Sequence, residues 1–110
     1  MTDDRLDQQQ QVADGLLHIE MELRRLRLWA SDSPSDEALA SAVPFAVDTL
    51  LFTEWLQFIF LPRMKALLEN DAPLPTVSGM APMAEEYFRG VRHDGGQLIR
   101  LLQTMDRLLS

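Results

Sequence analysis

The chain has 110 residues, 46% hydrophobic and 25% charged, the size and balance of one folded domain over residues 1–110. It contains no cysteine, so disulfides, thiol catalysis and thiolate metal sites are excluded. With 17 acidic against 10 basic residues the net charge is −7, which disfavours a broad nucleic-acid footprint or an anionic membrane surface, since both are recognised by Lys and Arg.

The N-terminal MTDDRLDQQQQ is acidic and polar, the opposite of a secretory signal. The longest apolar stretch, around Leu50 to Leu61, is broken by Glu54 and Gln57 and is too short to cross a bilayer. The expectation is a soluble, cytoplasmic protein without a membrane partner. Glycine and β-branched residues are scarce, and apolar residues recur at steps of three and four, which indicates helices. Val12, Leu16, Ile19, Leu23 and Leu26 form one stripe, and Leu17, Met21 and Leu28 beside it predict a wide buried face. The first helix is predicted from about Asp3 to Trp29, roughly 40 Å long, capped by Thr2 or Asp3. Ser33, Pro34 and Asp36 then signal a short helix over Pro34 to Ala42.

PFAVDTLLFTEWLQFIFLPRM, Pro44 to Met64, carries Leu51, Phe52, Trp55, Leu56, Phe58, Ile59, Phe60 and Leu61 on every side, the pattern of a buried helix. Pro62 costs roughly 3 kcal/mol inside a helix. Burying each large apolar side chain returns about 1.5–3 kcal/mol. The helix therefore kinks at Pro62 and continues to about Asn70. Asn70 to Ala81 is a loop, and Pro82 is placed to open the next helix, with Glu85 and Glu86 in its first turn. Gly90, Gly95 and Gly96 interrupt the chain beyond it, and Asp94 with Gln97 resembles a capping box. Leu98, Leu101, Met105 and Leu108 then form a last stripe. The predicted fold is an all-α, small single-domain helical bundle of four main helices plus a short one. Its central helix, kinked at Pro62, is flanked by the first and last.

Little in the chain points to catalysis. His18 and Glu22 share a helix face, but no Glu has a His three residues later, as a di-iron bundle requires. Glu85 and Glu86 face different ways, Ser78-Gly79 lacks a G-x-S-x-G setting, and Gly95-Gly96 lacks a preceding strand or a flanking Lys. No catalytic, cofactor-binding or metal-binding residue is assigned, and no enzyme activity is expected.

The stretch from Pro44 to Met64, with APLP at Ala72 to Pro75 and MAEEYF at Met83 to Phe88, resembles the YqcC-like family of small bacterial proteins of unknown function. The resemblance covers nearly the whole chain and implies an all-α fold of a few packed helices. Members are often encoded beside a tRNA pseudouridine synthase. Such synthases resemble large mixed-sheet folds with a catalytic Asp in a basic cleft, and this acidic helical sequence supplies neither.

Two functions are expected on these grounds. The first is a non-enzymatic interaction module that binds a protein partner, or itself, through apolar surface at Trp55, Phe58, Pro62 and Arg63. The surplus of large apolar residues in a small bundle supports it. The second is an accessory factor in tRNA modification. It would bind RNA or the synthase through Arg24, Arg25 and Arg27 in LRRLRLW, Leu23 to Trp29. RNA is the less favoured partner because of the acidic charge.

Overall fold

The stripe Val12, Leu16, Ile19, Leu23 and Leu26 is buried throughout and seats α1 (Asp4–Arg25) in the core. The computed structural model describes residues 4–110, so the predicted cap at Thr2 or Asp3 lies outside the described residues. Every regular element among the described residues is helical. α1 ends four residues before Trp29. Leu28 N–H donates to the Leu23 carbonyl (2.9 Å) and Arg27 N–H to that of Arg24 (3.0 Å). This pair of reversed bonds closes the helix on a left-handed residue, here Arg27 at φ 60°.

The predicted helix over Pro34 to Ala42 shrinks to α2 (Asp36–Leu39). Its cap is Ser35, whose Oγ accepts from Ala38 N–H (3.1 Å), while Ser33 is spent on the Pro34 carbonyl. A 3-10 turn, Pro44–Ala46, follows, with Phe45 and Ala46 both left-handed at φ 57° and 50°.

α3 (Phe52–Trp55), a π-helical stretch (Leu56–Phe60) and α4 (Leu61–Glu69) run on as one rod. Leu51 N–H is taken by the Glu54 carboxylate at 2.8 Å, which starts the rod at Phe52. The rod passes Pro62, as predicted, and the disturbance sits in the turn before it. There Leu61 N–H reaches back five residues to the Leu56 carbonyl. A wider turn at this place is the adjustment that relieves the clash between a proline ring and the carbonyl four residues before it, which makes proline costly in a regular helix. Phe52, Leu56, Phe60, Leu61 and Met64 are buried, but Leu51 is 58% exposed, so the stretch is not apolar-buried on every side.

Gln57, in the π stretch, is buried and satisfied. Its amide donates to the Ala30 carbonyl (2.8 Å) and its oxygen accepts from Ala30 N–H (2.8 Å). This two-point bond fastens the segment after α1 to the rod. α4 ends like α1, with Asp71 left-handed and Ala72 N–H donating to the Leu67 carbonyl.

α5 (Met80–Arg89) starts two residues before Pro82. The cause is distant in sequence. Asp106 of α6 (Gly96–Leu108) accepts from Met80 N–H (3.1 Å) and Ala81 N–H (2.9 Å), capping a helix to which it does not belong. The predicted capping box does not form: Gly95 is the N-cap, Asp94 accepts from Gly96 N–H two residues on, and Gln97 accepts from Arg100. A Cβ on Gly95 would overlap the Phe88 ring, so glycine is what lets α5 turn tightly into α6. The buried face of α6 is Leu98, Leu102 and Met105, with Leu109 just beyond. Leu101 and Leu108 are only half-buried.

α6 lies along both α1 and α5, and α4 lies along α1. The first and last helices therefore pack on each other, and the proline-bearing rod flanks α1 instead of standing between them. Among the described residues four rods and the short α2 make up the bundle, the rods sharing one core.

Ion pairs tie the rod to α1. Glu20 bonds Lys65 and Arg24, each at 3.1 Å, and Asp71 bonds Arg5 and Gln9, each at 2.8 Å. Partial burial pushes the Glu20 carboxyl up, but the hydrogen bonds and charges of Lys65 and Arg24 outweigh it and hold the group low. The Gln9 amide and the Arg5 charge hold Asp71 low.

Three outcomes test this. Gln57→Glu keeps the volume but sets carboxylate lone pairs against the Ala30 carbonyl, and should cost about 1–3 kcal/mol in denaturant unfolding; an unchanged midpoint would contradict the clamp. Asp106→Ala should cost about 1–2 kcal/mol by removing a cap that serves two backbone donors. Because Glu20 and Asp71 titrate lower folded than unfolded, their contribution is whole above the ordinary carboxylate range, begins to fall there, and is lost as pH drops on through their lowered folded values. Melting temperature should drop below about pH 4, and the drop should be shallower in Glu20→Gln/Asp71→Asn.

Candidate functional site

The four residues expected to form a partner surface divide by depth. Trp55 is half-buried, stacked on Phe60 (centroids 5.4 Å) and on Phe52 (5.8 Å), with the Phe45 ring edge-on at 4.9 Å. Offset and edge-on rings at these separations attract one another, so Trp55 closes the aromatic end of the core. Phe58 is also half-buried. Pro62 and Arg63 are exposed on α4, and Arg63 pairs with no described carboxylate. The other polar groups of that stretch have local partners. Asp48 accepts from Ser41 Oγ at 2.6 Å, Glu54 caps α3, and Gln57 holds Ala30.

The basic cluster ends α1 and is divided among carboxylates and a ring. Arg24 bonds Glu20 and stands over Trp29, 4.5 Å from the ring centroid. Arg25 bonds the buried Glu22 through Nε (2.8 Å) and Nη2. The hydrogen bond to Glu22, together with its charge, raises the Arg25 guanidinium further above its ordinary range. Arg27 is exposed at the left-handed end of the helix. His18 and Glu22 line a groove between α1 and α6 with Met21, Arg25, Gln97 and Leu101. Among the described residues no three His, Cys, Asp or Glu side chains converge on a point where they could hold a metal. No helix among them is long and apolar enough to cross a membrane.

One apolar feature differs from expectation. Leu17 and Met21, placed on the buried face by sequence, are each 57% exposed, and Leu6 is 60% exposed. Leu6, Ala13 and Leu17 follow one another at steps of seven and four along the flank of α1 that faces α4. With Leu16 and Leu68, Ala13 and Leu17 line an open cleft of about 240 Å³ beside Glu20, Lys65 and Glu69, and Leu6 continues it toward the start of α1. The sequence does carry a signal for this surface. The stripe from Val12 to Leu26 is complete without Leu17, and Leu17 sits among Gln10, Asp14 and His18, neighbours suited to solvent. A second exposed set, Val43, Val47 and Leu51, lies before α3.

Comparison with known proteins places this geometry. Residues 11–108 match the DUF446 family, described as tRNA pseudouridine synthase C. The uncharacterized protein YqcC of Escherichia coli (strain K12) is 32% identical over 109 residues, covering 99% of this chain and 94% of that protein. The solution NMR structure of YqcC from E. coli superposes with a TM-score of 0.78 at 31% identity, over 93% of this chain and 87% of that one. An uncharacterized protein of Haemophilus influenzae is 40% identical over 69% of this chain and 72% of its own length. A protein of Pectobacterium carotovorum subsp. carotovorum named tRNA pseudouridine synthase C is 43% identical over 64% of this chain, but the matched segment is only 19% of that protein. With nearly its whole length matched by the family and by YqcC, in sequence and in fold, this chain belongs to the DUF446, YqcC-like family.

Proposed function

We propose that the protein is a non-enzymatic, cytoplasmic interaction module that works with a tRNA pseudouridine synthase by binding the enzyme. The observation that carries this reading is the Pectobacterium protein, in which a segment 43% identical to this chain makes up 19% of one polypeptide bearing the synthase's name. A segment that small beside so large a remainder is the arrangement of an accessory domain joined to its partner. Where the two are separate chains, the same contact has to form between molecules.

Charge supports the enzyme over its RNA as the target. A net charge of −7 repels phosphate, whereas a protein that binds tRNA carries basic surface that an acidic module complements. Within the Trp55–Arg63 segment, the exposed Pro62 and Arg63 supply the accessible contact, and the half-buried Trp55 and Phe58 contribute what of their surface is open. The RNA alternative rests on Arg24, Arg25 and Arg27, of which Arg24 and Arg25 are already engaged by Glu20 and Glu22.

Capture of the host's own tRNA pseudouridine synthase by the tagged protein tests this. Recovery should survive ribonuclease, and Arg63→Ala, which removes the contact without adding an acid to face a basic partner, should reduce it while leaving the helical circular dichroism and melting unchanged. Recovery that vanishes with ribonuclease, or RNA binding lost in Arg24→Ala/Arg25→Ala/Arg27→Ala, would replace this reading with the RNA one.

A further inference from the structure

We infer that the flank of α1 beside α4 is a docking groove for an amphipathic helix of the synthase, apolar on one face and basic along its edge; this rests on the function proposed above. Leu6, Ala13 and Leu17 span eleven residues of α1, roughly 16 Å at 1.5 Å per residue. That is three turns, more than the two turns, about 10 Å, over which a bound helix presents anchors at i, i+4 and i+7. Leu68 of α4 supplies the opposite wall, and the exposed Met21, four residues beyond Leu17, stands on the ridge between this cleft and the α1–α6 groove that it also lines.

The rim decides the chemistry of the occupant. Asp7 and Asp14 are exposed along the outer edge of the strip, and Glu69 is exposed on the α4 side. The cations nearest the cleft, Lys65 and Arg24, share the single carboxylate of Glu20 and leave a net charge of +1, which the three acids Asp7, Asp14 and Glu69 outnumber. The unspent charge around the groove is negative and selects a basic partner helix over an acidic one. A second copy of this chain fits poorly on that ground, because its own strip carries the same acids.

The test is titration calorimetry of the protein against the host's tRNA pseudouridine synthase, at low and at raised salt. Leu17→Ser and Met21→Ser replace residues already more than half exposed, so the fold should hold, and circular dichroism checks it. Each should weaken binding about tenfold or more, the effect of removing an anchor residue. Asp7→Asn/Asp14→Asn should lower affinity at low salt and flatten its salt dependence. If the wild type binds and both serine variants bind equally well, the groove assignment is overturned and the proposed function stands. If the wild type does not bind, both fall. If sedimentation shows a dimer that Leu17→Ser dissolves, the occupant is a second copy and the assignment to the synthase is overturned.

Discussion

Pro62 is the constraint around which this molecule is arranged. A helix that must deliver Phe52, Leu56, Phe60, Leu61 and Met64 to one core also carries, at its middle, a residue without an N–H and with a ring that crowds the preceding turn. The chain resolves the conflict with a π-helical stretch at Leu56–Phe60, immediately before the proline. Within that stretch Gln57 faces inward, and its side-chain amide grips both backbone groups of Ala30. The grip fixes the segment that leaves α1 and, with it, Trp29, on which Arg24 lies. A local backbone adjustment thus becomes a long-range tie between the first helix and the second long rod.

The parts of this fold legible in sequence are those decided by nearest neighbours along the chain. The stripe from Val12 to Leu26 has one solution, and so does the passage of the rod through Pro62, where burial outweighs the proline. The boundaries that differ depend on groups that no local pattern announces. α1 and α4 end on left-handed Arg27 and Asp71, where a glycine would have signalled the stop. α5 begins early because Asp106, more than twenty residues downstream, reaches its first amides. Leu17 and Met21 read as core in the sequence because apolar residues on an amphipathic helix usually find a partner helix. Here no described helix covers that flank. The candidate surface at Trp55 to Arg63 is legible as an apolar segment, but its division into a half-buried aromatic cluster and an exposed Pro62–Arg63 edge depends on the ring contacts of Phe45, Phe52 and Phe60.

The same geometry bears on function. A chain whose conspicuous basic cluster is largely engaged internally, and whose net charge is acidic, is poorly built to hold RNA by itself. On the proposed function it meets a basic protein surface instead. The likeness to a segment of a longer protein named tRNA pseudouridine synthase C supplies a candidate for that surface. The likeness to YqcC extends the fold across nearly the whole chain. On the proposed function, the core formed by α1, α4, α5 and α6 serves to present one apolar strip and one exposed cation at fixed positions.

Amide chemical-shift mapping tests the proposed binding surface most directly. The protein has a mass of 12.5 kDa, well within reach of the method, and would be titrated with its host's tRNA pseudouridine synthase. Perturbed amides should cluster along α1 from Leu6 to Met21, around Leu68, and at Arg63, while the remote face of α5 stays unmoved. Perturbations confined to Arg24–Arg27, or to α5 and α6, or none at saturating enzyme, would contradict the proposal.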